Sequence, residues 1–117
     1  MTTRRRLSIL LYQGTPGIWV GRGIEHDLSA EGRTIGETVR AILRFVDAHS
    51  QFDVRRDQPP LAAFSAAPQA YWNAFQAATH VPLAQLGAES PQHWEVSVAI
   101  ARQRPSVGTA RSLGISA

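Results

Sequence analysis

Cysteine is absent from the 117 residues, which removes disulfides, thiolate nucleophiles and cysteine-ligated zinc together. Stability must come from packing. Lysine is absent too, so all 12 basic residues are arginine, and Schiff-base chemistry and a phosphate-loop lysine are excluded. Long apolar runs are also missing. The longest, Ile9 to Tyr12, falls far short of the roughly 20 residues that span a bilayer. Arg4-Arg5-Arg6 precedes an apolar stretch too short for a signal-peptide core, and no small-residue cleavage site follows, so a cytoplasmic location without membrane attachment is expected. The four histidines, His26, His49, His80 and His93, show no ligand spacing, and neither a Gly-x-Ser-x-Gly elbow nor a glycine-rich phosphate loop is present. No catalytic residue, metal or cofactor is expected.

What remains is a globular composition. The chain is 44% hydrophobic with three Trp, four Phe and two Tyr, enough for one core at a length that fits one domain. We expect a single α+β domain over residues 1–102 and a mobile tail over 103–117, where Pro, Gly, Ser and Arg mix without periodicity. The arginine-only, alanine-rich usage is that of a GC-rich bacterial or phage genome. Twelve arginines against nine carboxylates leave a net charge of +3, modest for a nucleic-acid binder unless the charge is local.

Alternation over Arg6 to Tyr12 predicts a strand with one buried face, and Gln13 to Gly17 a hairpin loop. Ile18 to Leu28 reads as two strands or one bulged strand, broken near Gly23 to His26. Thr34-Ile35-Gly36-Glu37 fits a capping box, in which the Thr34 hydroxyl accepts from the Glu37 amide while Glu37 reaches back to the Thr34 amide. The stripe Ile35, Val39, Ile42, Val46 and His49 then predicts an amphipathic helix over 35–49. His49 is expected at its end, where a cation suits the dipole. Gln51 to Gln58 reads as a loop before Pro59-Pro60. Pro68 is placed as the first residue of a short helix carrying Tyr71, Trp72 and Phe75, aromatics expected in the core. Trp94, Val96, Val98 and Ile100 alternate as the last strand. The expected architecture is a small antiparallel sheet with the long helix across one face and the aromatic helix beside it.

Residues 7–52 resemble the HicB-like family of bacterial antitoxins. The features that match are the first strand, a glycine-containing hairpin, the aromatic-led second strand Ile18-Trp19-Val20 and the helix approach Gly32-Arg33-Thr34-Ile35-Gly36-Glu37. The family's Pro-Asp-Leu-Pro-Gly-like stretch is replaced here by Ile24-Glu25-His26-Asp27-Leu28, and no DNA-reading module follows Phe52. The resemblance implies a partial ribonuclease-H-like fold that masks a toxin or other protein target.

Glu25 and Asp27 are the densest carboxylates, and on a strand they share one face while His26 looks away. Without a third acidic partner they read as a polar hairpin end or a partner contact rather than a metal-dependent nuclease site. Arg4, Arg5, Arg6, Arg55, Arg56, Arg102 and Arg104 are the candidate contacts for a partner or for nucleic acid; Arg4 to Arg6 read first as a solvated terminus and, in the alternative, as one basic edge with Arg102 and Arg104. The expected function is non-enzymatic protein binding, as a HicB-like antitoxin or regulatory module that is also a homo-oligomer, through the sheet edge left beside the first or last strand. A phage or mobile-element inhibitor and a weak arginine-mediated nucleic-acid binder are the alternatives.

Overall fold

A computed structural model describes residues 4–105, so the expected tail lies outside the described residues except for its first three positions. Five strands and two α-helices follow in chain order: β1 (Arg5–Thr15), β2 (Ile18–Gly23), β3 (Ser29–Gly32), α1 (Ile35–Arg55), α2 (Gln69–Ala77), β4 (Thr79–Val81) and β5 (Trp94–Ile100), with a short 3-10 turn at Leu83–Leu86 before β5. They build an α+β fold on one five-stranded sheet of order β3-β2-β1-β5-β4.

The sheet is mixed, not antiparallel. β1 pairs antiparallel with β2 but parallel with β5, with Arg5 opposite Trp94 and Leu11 opposite Ile100. A parallel neighbour needs a long crossover, and the chain between β3 and β5 supplies it. β1 is consequently the central strand, and the edges are β3 and β4 rather than the first or last strand.

Both faces of β1 are covered. Leu7, Ile9 and Leu11 pack under α1 with Val39, Ile42, Val46, Leu61, Trp94 and Val98. Leu10 and Tyr12, of the opposite parity, pack with Ile24, Tyr71, Phe75 and Ala99. The expectation of one buried face fails because Leu10 and Tyr12 are themselves large and apolar. The aromatic helix therefore sits across the sheet from α1 instead of beside it, with Tyr71 and Phe75 in the core as expected and Trp72 only half-buried at its margin. Gly21 lets α1 approach, since a Cβ there would meet the Ile42 Cδ1 at 2.6 Å.

The long helix starts where the capping motif places it. The Glu37 amide donates to the Thr34 Oγ1 at 3.0 Å, whereas the Glu37 carboxylate accepts from the amide of Arg33, one residue before the expected Thr34. The helix runs six residues past His49, because the prolines at 59 and 60 restrict only the residues just before them and Asp53 turns inward. Pro68 is the residue before α2 and not its first. The second strand of the broken pair lies beyond the expected span, at Ser29–Gly32, and a further short strand, β4, follows α2 at Thr79–Val81. None of the helices among the described residues is long and apolar enough to cross a membrane.

Replacing Thr34 by Ala removes the N-cap acceptor and is expected to cost about 1 kcal/mol, or about 4 °C in melting temperature. A thermal melt indistinguishable from wild type would contradict this cap.

Candidate functional site

The hairpin end that carries the carboxylates is a bend between β2 and β3, held by Gly23 N–H donating to the Leu28 carbonyl at 2.8 Å. Glu25 and Asp27 do turn to one face, the side covered by α2. Glu25 accepts from the Ser8 amide at 2.6 Å and from the Ser8 hydroxyl at 2.8 Å, so both of its oxygens are committed to β1. Asp27 takes a two-pronged contact from Arg22, at 2.7 and 2.9 Å, and the Arg22 guanidinium lies 4.1 Å from the Tyr71 ring centroid. The Asp27 hydrogen bond outweighs burial and lifts Arg22 above its ordinary value. Burial, with Tyr12 nearby, pushes the Tyr71 hydroxyl up. This arrangement ties β1, β2 and α2 together. Among the described residues no cluster of three or more His, Asp or Glu is placed to hold a metal ion. His26 faces the other way, with its Nδ1 3.2 Å from the Phe64 carbonyl and its ring edge-on to Trp94.

The arginines do not form one basic edge. Because β1 and β5 run parallel, Arg4 to Arg6 stand at one end of the sheet, while Arg102 and Arg104 follow β5 at the other end, about 20 Å away at 3.3 Å per residue. Arg6 faces Glu95 at 3.9 Å, both exposed. Arg5 and Arg55 line one cavity of about 410 Å³, together with the Asp47 carboxylate, Gln51, His93 and Trp94. Arg56 instead lies over the Phe52 ring, 5.2 Å from its centroid.

His49 is not at the helix end. It sits among Phe45, Phe52 and Phe64 and holds Asp53 at 2.9 Å. Asp53 also accepts from the Leu61 amide at 2.8 Å, and its backbone carbonyl accepts from the amides of Arg56 and Gln58. This fixes the strap over residues 56–67. Leu61 is fully buried yet has φ +60°, a left-handed conformation costing a bulky residue about 1–2 kcal/mol. Hiding its side chain is worth about 2 kcal/mol, so burial meets the strain. Nothing in the spacing of Asp53 and Leu61 announces this pair, because a charge near a helix end reads by default as solvated.

Among the described residues, two open surfaces lie side by side. One is apolar: Phe45 and Phe52 are 42% and 46% exposed, and Phe45 lines a groove of about 380 Å³ with Leu28, Ser29, Ala30, Ile42 and Phe64. The other is the outer backbone of β3. Ile24 donates to Ser8, so the even residues of β2 face β1 and the odd ones face β3; Gly23 bonding to Leu28 agrees. In the antiparallel register of β2 and β3, Leu28, Ala30 and Gly32 then bond inward, and the N–H and C=O of Ser29 and Glu31 point out of the sheet. The strap covers this edge only at Asp27, whose amide donates to the Ser65 carbonyl at 2.7 Å.

No family model, curated protein or solved structure matches the chain.

Two outcomes are expected from these contacts. Asp27→Asn leaves Arg22 without its charged partner and should lower stability by about 1–2 kcal/mol in denaturant titration; an unchanged midpoint would mean that the pair holds nothing together. Asp53 gives a pH signature. Burial raises its carboxyl, but the Leu61 amide and His49 together outweigh burial and hold it below the ordinary 3.8. A depressed folded-state value stabilises above the unfolded value, and that stabilisation is lost as pH falls through the folded one. Wild type should therefore lose stability relative to Asp53→Asn as pH drops below about 4, and parallel pH profiles of the two melting temperatures would refute it.

Proposed function

We infer that the chain is a non-enzymatic binding protein of the HicB-like kind, acting as an antitoxin or regulatory module through contact with a second protein. The observation that carries this reading is the uncovered backbone of β3 beside the exposed Phe45 and its groove. An exposed edge with unpaired N–H and C=O groups accepts an added strand, and a flanking apolar groove supplies side-chain selectivity. The carboxylates favoured by nuclease chemistry are spent on Ser8 and Arg22, which fits a role for Glu25 and Asp27 in shaping the hairpin end next to that edge. Cytoplasmic action belongs to the same proposal.

A second reading rests on Arg5 and Arg55, which line one cavity and could meet a phosphate backbone there, with the Asp47 carboxylate in the same lining opposing it. With so few charges, affinity for nucleic acid is expected to be weak.

The deciding experiment is co-expression with the product of an adjacent small gene of the double-stranded-RNA-binding-like toxin type. The proposal expects a complex on gel filtration and relief of growth arrest, both lost when bulky charge is placed on the groove by Phe45→Glu. Arrest that persists with no complex formed sinks the antitoxin role. Binding to RNA or DNA that survives high salt and discriminates sequence, weakened by Arg5→Ala and Arg55→Ala, would put the nucleic-acid reading first.

A further inference from the structure

The free stretch of β3 is short, and both of its limits are structural. At one end the strap covers Asp27 through the Ser65 carbonyl; at the other, the chain bends at Arg33 into the cap of α1. Leu28 to Gly32 is what remains, with Ala30 at its midpoint. The opposite sheet edge is poorer. β4 has three residues and runs straight into Pro82, a feature that blunts edges.

We propose that this window pairs with the same window of a second copy of the chain, antiparallel about a two-fold axis through Ala30, joining two sheets into one ten-stranded sheet. Three observations select that occupant and register. First, an antiparallel two-fold pairing places residues of one face opposite each other, so the sum of paired numbers is even. Only Ser29 and Glu31 carry outward-facing groups. Pairing Ser29 with Glu31 of the copy uses both residues on both chains and forms four backbone hydrogen bonds, whereas centring on Glu31 leaves Ser29 opposite the bend at Arg33.

Second, side chains agree with the register. Glu31 meets a serine hydroxyl that can donate to it, while a Glu31-centred register sets two carboxylates against each other, which destabilises a sheet. Ala30 meets Ala30 at a non-hydrogen-bonded position, where Cα atoms approach to about 4.5 Å and a small side chain fits. Third, Ser29 and Ala30 line the groove under the exposed Phe45. A two-fold axis at Ala30 brings the two grooves together on the α1 side of the sheet, so that each Phe45 gains cover from the other copy.

This deepens the binding reading, because it assigns the β3 edge to self-pairing and leaves a hetero-partner to the remaining surface or to competition for the same edge. Its test is separate. The natural chain has no cysteine, so a single introduced thiol reports one contact. Under mild oxidation Ala30→Cys should give a covalent dimer on non-reducing electrophoresis, since disulfides form at Cα separations of about 4.4–6.8 Å. Glu31→Cys should stay monomeric, because its own copy lies about 8 Å away, two residues along and one strand across.

Charge gives a second readout that leaves the core untouched. In sedimentation equilibrium, Ser29→Arg should tighten the dimer about fivefold by facing Glu31, and Ser29→Glu should weaken it by a similar factor. Adding Glu31→Arg to Ser29→Glu should restore it. Cross-linking of Glu31→Cys in place of Ala30→Cys overturns the register. A monomer at 100 μM for wild type, about the concentration at which such a short pairing must show, with no cross-link from a folded Ala30→Cys protein, overturns the dimer altogether. In that case a toxin complex in the co-expression experiment would still stand. Conversely, a dimer of the stated register with no captured toxin would leave only the self-pairing.

Discussion

Burial of β1 on both faces is the constraint on which the molecule depends. Leu7 to Tyr12 are all buried, and a strand hidden on two sides needs a layer above and a layer below. α1 supplies the first layer with Val39, Ile42 and Val46. α2 is short and supplies the second only over Leu10 and Tyr12, leaving Ser97 and Glu95 of β5 open on the same face. β1 also needs hydrogen-bonding neighbours on both edges, which is why β5 must return beside it after the long crossover. Each large apolar side chain hidden this way is worth about 2 kcal/mol, so the central strand outweighs any surface ion pair in the fold.

The polar residues that look chemical in the sequence serve this architecture. Ser8 sits on a buried strand, where its hydroxyl and amide must be satisfied, and Glu25 satisfies both. Arg22 projects from β2 toward α2, and Asp27 and the Tyr71 ring accept its charge. Asp53 closes the strap by holding Leu61 in the core. The strap in turn runs along the bend after β2, from the Ala67 amide on the Ile24 carbonyl to the Ser65 carbonyl at Asp27, and stops there. What it does not reach defines the open edge.

Much of the fold was legible where local rules act alone. The capping motif set the start of α1 through the Thr34 hydroxyl, and the period-two pattern of Trp94 to Ile100 set β5, because both signals arise within a few residues. Strand order was not legible. β1 and β5 are far apart in sequence, and alternation reads the same whether the neighbour is parallel or antiparallel. β3 was hidden for a different reason: Ser29-Ala30-Glu31-Gly32 has no apolar pattern, and it is a strand because β2 offers it a ladder. The candidate residues followed the same division. Glu25 and Asp27 lie in a bend and not on a strand, so period-two spacing does not place them, and their partners Ser8 and Arg22 come from tertiary pairing. Arg102 and Arg104 separated from Arg4 to Arg6 as soon as β1 and β5 proved parallel.

That hidden strand is also the one the core constrains least. A strand rich in small and polar residues contributes little to the core, so its side chains are free of packing demands, while its backbone has satisfied only half of its hydrogen-bonding capacity. Natural edges are commonly shielded by proline, lysine, bulges or a covering loop. This chain has no lysine, its strap covers the edge at Asp27 alone, and Glu31 is the one formal charge on β3. A single carboxylate gives little protection against a strand that brings a hydroxyl or a cation to meet it. Under the proposed pairing, acid opposite Glu31 would be repelled and a donor there would bond to it. The chain's own Ser29 supplies that donor.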